Sequence, residues 1–101
     1  MAVLYITEYA ETGITNRTTV AAAQEPPLAT QTVAIGVSSV QSSAFNAATR
    51  LVRLHTDAIC SVLMGTNPTA AATSPRMAAN STEYFTVEPG RGLKVAVITN
   101  T

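Results

Sequence analysis

The chain has 101 residues, which is enough for one domain and too few for two. Hydrophobic residues make up 47% of the chain and charged residues only 12%, against a usual charged share of about 25%. The six basic and six acidic residues cancel and lie scattered along the chain, which argues against a basic nucleic-acid footprint. A monomer with so few charged residues has little to keep it soluble. We therefore expect part of the surface to be covered by a partner or by further copies of the chain.

The sequence also bears on compartment and redox state. No apolar stretch approaches the about 18 residues that a membrane span requires, and residues 1–9 lack the basic start of a signal peptide. The single cysteine, Cys60, can form no internal disulfide. We therefore expect a protein that is made in the cytoplasm, folds without oxidation and contacts no membrane.

The N-terminal third predicts an extended arm. Residues 2–9 are rich in β-branched and aromatic side chains, which favour a strand or an extended segment. Residues 10–30 contain glycine, asparagine and the pair Pro26 and Pro27, which remove backbone donors and exclude a central strand. We interpret residues 1–30 as an arm or long loop, with one possible weak edge strand at 17–23.

The rest of the chain has the pattern of strands separated by turns. Four segments have a two-residue pattern that places apolar side chains on one face, and they are residues 31–38, 49–56, 82–87 and 93–99. Leu51 breaks the pattern in the second of them. Residues 58–64 are apolar on both faces, as in a central strand. Residues 39–48 are predicted to be a connection anchored by Phe45. Residues 65–82 are predicted to be a long surface loop, because proline and threonine interrupt the alanines.

The turn at residues 88–92 predicts a hairpin between the last two strands. Pro89 presets one turn dihedral, and Gly90 and Gly92 can adopt positive φ. Short strands without a βαβ alternation favour an all-β fold, an antiparallel β-sandwich or a jelly-roll-like barrel. The predicted organisation is an extended N-terminal arm over residues 1–30 and a β-sandwich domain over residues 31–101.

Few residues could carry catalysis. His55 is the only histidine, and its spacing to Asp57 and Cys60 matches no closed zinc ligand set. A nucleophilic Cys60 would need a base beside it, and His55 lies five residues away, but a buried structural cysteine is the simpler interpretation. We predict no catalytic, cofactor-binding or metal-binding residues, and hence a protein that is not an enzyme. An exposed Tyr84 fits an interface anchor and a half-buried strand residue equally well.

Five stretches carry a resemblance to a known class of protein. They are QTVAIG at 31–36, FNAATRLVRLHTDAIC at 45–60, GTNPTA at 65–70, RMAANSTEYFTV at 76–87 and PGRGLKVAVI at 89–98. Together they resemble small head-associated virion proteins of tailed bacteriophages, most closely capsid decoration (cement) proteins. The resemblance implies a protein that binds the outside of the virion shell in many copies, often as a homotrimer. It also implies the major capsid protein as partner, with neighbouring capsid subunits clamped together.

The interface residues are chosen by expected exposure, and other functions stay open. The candidates are Tyr5, Tyr9, Arg17, Arg53, His55, Asn67, Arg76 and Tyr84. A head fibre base, a neck subunit or a tail subunit would fit the same pattern. A carbohydrate-binding β-sandwich is a further alternative, although the chain has no tryptophan to stack on a sugar.

Overall fold

The computed structural model describes residues 2–10, 12–15, 18–23 and 25–101. Within these ranges all regular structure is β-strand, and no helix long and apolar enough to cross a membrane occurs in them. In chain order the strands are β1 (Val3–Tyr9), β2 (Thr12–Thr15), β3 (Thr18–Ala23), β4 (Ala29–Ala34), β5 (Val40–Gln41), β6 (Leu51–Thr56), β7 (Cys60–Gly65), β8 (Arg76–Met77), β9 (Thr82–Thr86) and β10 (Lys94–Thr99). The predicted fold class, an antiparallel β-sandwich, is confirmed.

Two four-stranded antiparallel sheets form the sandwich. The first sheet has the strand order β4-β1-β6-β9, and the second has the order β5-β10-β7-β8. Strands β2 and β3 form a separate two-stranded hairpin. The chain passes between the two sheets five times, after β4, β5, β6, β8 and β9, as expected when each sheet must cover the apolar face of the other.

The core lies between the two sheets and follows from the alternation along each strand. Because successive side chains point to opposite faces, one set from each strand enters the core. The buried apolar set is Leu4, Ile6, Val33, Phe45, Val52, Leu54, Cys60, Val62, Met77, Val95 and Val97. Each large aliphatic member contributes about 1.5–3 kcal/mol by leaving water. Phe45 anchors the connection between β5 and β6, as the sequence predicted.

Strand β1 corrects the predicted arm. It pairs with β4 on one side and with β6 on the other, and its Leu4 and Ile6 are fully buried. Residues 3–9 therefore belong to the interior of the first sheet, and the boundary placed between residues 30 and 31 does not separate an arm from the sandwich. The sequence pattern identified a strand here but could not show that its partners lie about 25 and 50 residues along the chain.

The segment after β1 folds back as a hairpin. Strand β3 coincides with the weak strand predicted near residues 17–23, and β2 is its antiparallel partner, which the sequence did not predict. The chain returns to the sandwich at Leu28, whose backbone N–H donates to the carbonyl of Glu8 at 2.7 Å. The predicted strand of residues 31–38 overlaps β4 only at residues 31–34, because β4 runs from Ala29 to Ala34 and residues 35–38 are not strand.

The last two strands do not form the predicted hairpin. Strand β9 pairs with β6 in the first sheet, whereas β10 pairs with β5 and β7 in the second. The connection at residues 87–93 crosses between the sheets, and Gly90 and Gly92 adopt φ values of 75° and 65°. The turn chemistry was therefore predicted correctly, but a turn does not decide which sheet receives the next strand.

Residues 66–75 form a cover rather than a free surface loop. Gln41 Nε2 donates to the carbonyl of Pro68 at 2.8 Å, and Asn100 Nδ2 donates to the carbonyl of Ala72 at 3.1 Å. Beneath this segment Ser61 and Ala96, on the outward side of the second sheet, are fully buried. The predicted loop at 65–82 also contains β8, whose Met77 enters the core. The small side chains of the alanine run allow this close packing.

Candidate interaction face

The outward side of the first sheet is the candidate functional site, and we call it the outer face. The strand register places Thr32, Tyr5, His55 and Thr82 in one row across the four strands. The next row is Thr30, Thr7, Arg53 and Tyr84. Leu4 and Ile6 of β1 and Val52 and Leu54 of β6 face the core. Because side chains alternate along a strand, the odd-numbered residues between and beside them face outward and form the two rows.

Two tyrosines dominate the exposed area of the outer face. Tyr5 is 42% exposed and Tyr84 is 56% exposed. They lie two strands and one row apart, with Arg53 and His55 between them, which corresponds to about 12 Å between their Cα atoms from standard sheet spacings. Large side chains of this kind, with a polar tip on an apolar body, are enriched in protein interfaces.

His55 is held in a defined orientation. Its Nδ1 lies 2.8 Å from Thr82 Oγ1, and its ring centroid lies 6.1 Å from that of Tyr5 at an interplanar angle of 47°. A hydrogen bond on one side and an aromatic contact on the other restrict the imidazole. The row therefore presents an ordered pair of rings rather than two independent side chains.

A broad, shallow depression follows the same strands. It has a volume of about 740 Å³, and its polar lining comes from Thr7, Thr30, Gln31, Thr32, Arg53, His55 and Asp57, with the ring of Tyr5 among them. Its position on an open sheet face suits contact with another surface, because small-molecule pockets enclose most of their ligand. In the described part of the chain no cluster of three or more His, Cys, Asp or Glu side chains could hold a metal ion.

The second sheet offers no comparable bare face, because residues 66–75 pack on it. Asn100 Nδ2 also donates to Ser61 Oγ at 2.6 Å, which ties the chain terminus to the buried outward side of β7. Leu63 remains 39% exposed on that side, and Val40, in the edge strand β5 of the same sheet, is 42% exposed. The molecule is therefore two-sided, with residues 66–75 packed on one sheet and the exposed tyrosines Tyr5 and Tyr84 on the other.

Four of the predicted interface residues come together, and the others do not. Tyr5, Arg53, His55 and Tyr84 share the outer face. Asn67 and Arg76 lie instead with the second sheet, where Asn67 Oδ1 accepts a hydrogen bond from Gln41 Nε2 at 2.9 Å and Arg76 pairs with Ser61. Arg17 lies outside the described residues.

Tyr9 is not exposed, contrary to the expectation that placed it among the interface candidates. It is only 5% exposed, and its hydroxyl donates to Glu25 Oε2 at 2.9 Å. Burial raises the pKa of Tyr9 above its ordinary value of 10.0, and the hydrogen bond to the Glu25 carboxyl raises it further. Tyr9 shares the outward parity of Tyr5, but the chain that returns through Glu25 closes this end of the face.

Cys60 and His55 do not form the nucleophile and base pair that the sequence analysis weighed. Cys60 lies in the core, and its thiol donates to Thr56 Oγ1 at 3.5 Å, whereas His55 faces outward and contacts Thr82. Burial raises the pKa of the Cys60 thiol, and the Thr56 hydrogen bond opposes this shift. The thiol is therefore a structural group of the core, as the simpler interpretation of the sequence held.

Glu8 is a buried polar residue that the sequence analysis missed. It is 2% exposed, and its Oε1 accepts hydrogen bonds from the backbone N–H of Asn46 at 2.6 Å and from Thr49 Oγ1 at 2.7 Å. The signal was present, because Glu8 has the same parity as Leu4 and Ile6 in β1. The Glu8 carboxyl fastens the β5–β6 connection to the first sheet and thereby fixes the start of β6, which carries Arg53 and His55.

Comparison of the chain with protein-family models, with curated proteins and with solved structures gives no significant match.

Proposed function

We propose that this chain is a structural virion protein that binds the outer capsid surface of a tailed bacteriophage and stabilises the head by clamping neighbouring major capsid subunits. The observation that carries the proposal is the two-sided build of the sandwich. One sheet is closed by residues 66–75, and the other carries the exposed Tyr5 and Tyr84 with the half-buried Arg53 and His55 between them. A subunit that lies on a larger surface needs one such face.

The sequence resemblance supplies the identity of that surface. The matching stretches include β6 and β9, the two strands that carry three of these four residues of the outer face. The low charge of the chain agrees with a subunit whose surface is largely covered in its working state. Binding of the folded chain to a shell would also raise its stability by mass action.

Repetition would turn a modest contact into a firm attachment. A shell presents the same site many times, and a homo-oligomer of this chain could engage several sites together. The proposed partners are therefore the major capsid protein and further copies of the chain, on the capsid surface of the virion. The proposal includes no enzymatic activity and no nucleic-acid or membrane partner.

Cosedimentation with mature, undecorated capsids tests the proposal. We expect saturable binding with many copies per shell, and we expect Tyr84→Ala to weaken it about 10-fold or more, as for a tyrosine anchor at an interface. Leu63→Ala, on the closed sheet, is the matched control and should bind as the wild type does. Binding of only a handful of copies would favour a neck, tail or head-fibre position, and the absence of binding would falsify the capsid proposal.

A second candidate is a carbohydrate-binding β-sandwich. The observation in its favour is the shallow depression, in which the Tyr5 ring stands among threonine hydroxyls and the Arg53 and His55 side chains. Rings with surrounding hydrogen-bonding groups suit sugar recognition. A glycan array probed with wild-type protein and with Tyr5→Ala would show saturable, Tyr5-dependent binding if this candidate were right.

A further inference from the structure

Arg53 occupies the centre of the outer face. In the strand register it stands between Thr7 of β1 and Tyr84 of β9, and His55 follows it in the next row of β6. Its side chain lines the depression and is half-buried. Strands β1 and β9 flank β6 on both sides, so the guanidinium belongs to the middle of the sheet rather than to an edge.

Arg53 forms no ion pair with a carboxylate of the described residues. The ion pair found in the described ranges joins Arg91 to Glu88 in the β9–β10 connection, far along the chain from Arg53. Asp57 lines the same depression, but it follows the end of β6 and forms no ion pair with Arg53. A half-buried guanidinium with five donors therefore faces the exposed side of the sheet without an ion-paired carboxylate.

The neighbours of Arg53 indicate what kind of anion fits. A polyphosphate or nucleic-acid backbone is bound by several cations, whereas Arg53 is the one arginine or lysine among the residues that line the depression. A single guanidinium is well suited to a single carboxylate, which it holds through two parallel hydrogen bonds. Thr7 and Thr30 add hydroxyl groups beside it, and Tyr5 and Tyr84 flank it as larger contact groups.

We propose that the outer face binds an Asp or Glu carboxylate of a partner protein, which pairs with Arg53 between the rings of Tyr5 and Tyr84. This inference rests on the proposed function, in which the partner segment belongs to the capsid shell. Charge complementarity selects the occupant, because the Arg53 guanidinium at the centre of the face has no ion-pair partner among the described residues and a carboxylate would supply one. The surrounding tyrosines limit the access of water to the pair, which strengthens it.

Capsid cosedimentation with charge variants is the first test. We expect Arg53→Gln to weaken binding about 10- to 100-fold, with Arg53→Lys in between because it keeps the charge but loses the paired hydrogen bonds. Arg76→Gln, which removes an exposed positive charge on the second sheet, is the matched control and should bind normally. Binding of the wild type should weaken with added salt, and that of Arg53→Gln should weaken less. Normal capsid binding by a folded Arg53→Gln would overturn the carboxylate site and leave the capsid proposal standing.

A second test does not depend on capsids. In an NMR titration of the wild type, a hexaglutamate peptide should shift the Arg53 side-chain resonance saturably, and a hexalysine peptide should not. If capsids fail to bind but hexaglutamate still shifts this resonance, the capsid proposal falls and the carboxylate site stands. A shift produced by inorganic phosphate but not by hexaglutamate would overturn the carboxylate site. A self-associated form of the wild type that Arg53→Gln dissociates would also overturn it, because a second copy of the chain would then occupy the outer face.

Discussion

The buried carboxyl of Glu8 gives the sharpest prediction about stability. Glu8→Ala removes the acceptor of both the Thr49 hydroxyl and the Asn46 backbone N–H. Thr49 is 1% exposed, so its hydroxyl is left without a partner in the core, at a cost of about 1–3 kcal/mol. Asn46 is exposed and can turn to water, so the loss of its bond adds only about 0.5–1.5 kcal/mol. We expect a total loss of about 2–4 kcal/mol.

Urea denaturation monitored by circular dichroism measures this loss. A domain of this length has a stability of about 5–15 kcal/mol, so the midpoint should fall by about 1–3 M. Glu8→Gln keeps an acceptor oxygen and should cost less than Glu8→Ala. In a double-mutant cycle, Thr49→Val should cost less in the Glu8→Ala background than in the wild type, because the unpaired hydroxyl is removed. A Glu8→Ala variant within 0.5 kcal/mol of the wild type, or strictly additive effects, would refute the reasoning.

Three further predictions follow from the fold. Because its pKa is raised and it lies in the core, Cys60 should react with a thiol reagent at pH 8 only after unfolding in urea, and rapid labelling of the native protein would contradict its placement. The pKa values of Cys60 and Tyr9 are both raised in the folded state. Their contribution to the free energy of unfolding is therefore complete below the unfolded-state pKa values near 9.0 and 10.0, and it is lost as the pH rises through the folded-state pKa values. The urea midpoint should fall above about pH 9, and it should fall less steeply for Tyr9→Phe. Deletion of residues 2–9 should abolish the cooperative unfolding transition, whereas a folded, sandwich-like product would restore the arm hypothesis.

The alternation of side chains made much of the local structure predictable. The sequence placed Val52 and Leu54 on one face of residues 49–56, with Leu51 breaking the pattern, and Phe85 and Val87 on one face of residues 82–87. Val52 and Leu54 lie in the core, and Phe85 and Val87 pack against it. Phe45 and Cys60 were expected in the core and lie there. These features depend on the two-residue period of a strand, which the sequence shows directly.

The pairing of strands could not be predicted in the same way. The turn at Gly90 suits a hairpin, yet β9 and β10 lie in different sheets. The N-terminal strand looked like an arm because prolines follow it, yet it fills the gap between β4 and β6. Strands that are distant in the sequence pair in the way that buries the apolar faces of both sheets together. No local sequence pattern encodes that pairing.

The residues of the candidate site were partly predictable, because side-chain alternation can be read from the sequence and strand pairing cannot. Side-chain alternation predicted the longer strands and the outward positions of Arg53 and His55 on β6, but it missed β2, β5 and β8. The pairing of β1 and β9 with β6 brings Tyr5 and Tyr84 beside them, and long-range packing buries Tyr9 and places residues 66–75 on the opposite sheet. Side-chain alternation is a property of one strand, whereas a bare face depends on which strands lie side by side and which segment of chain packs over them.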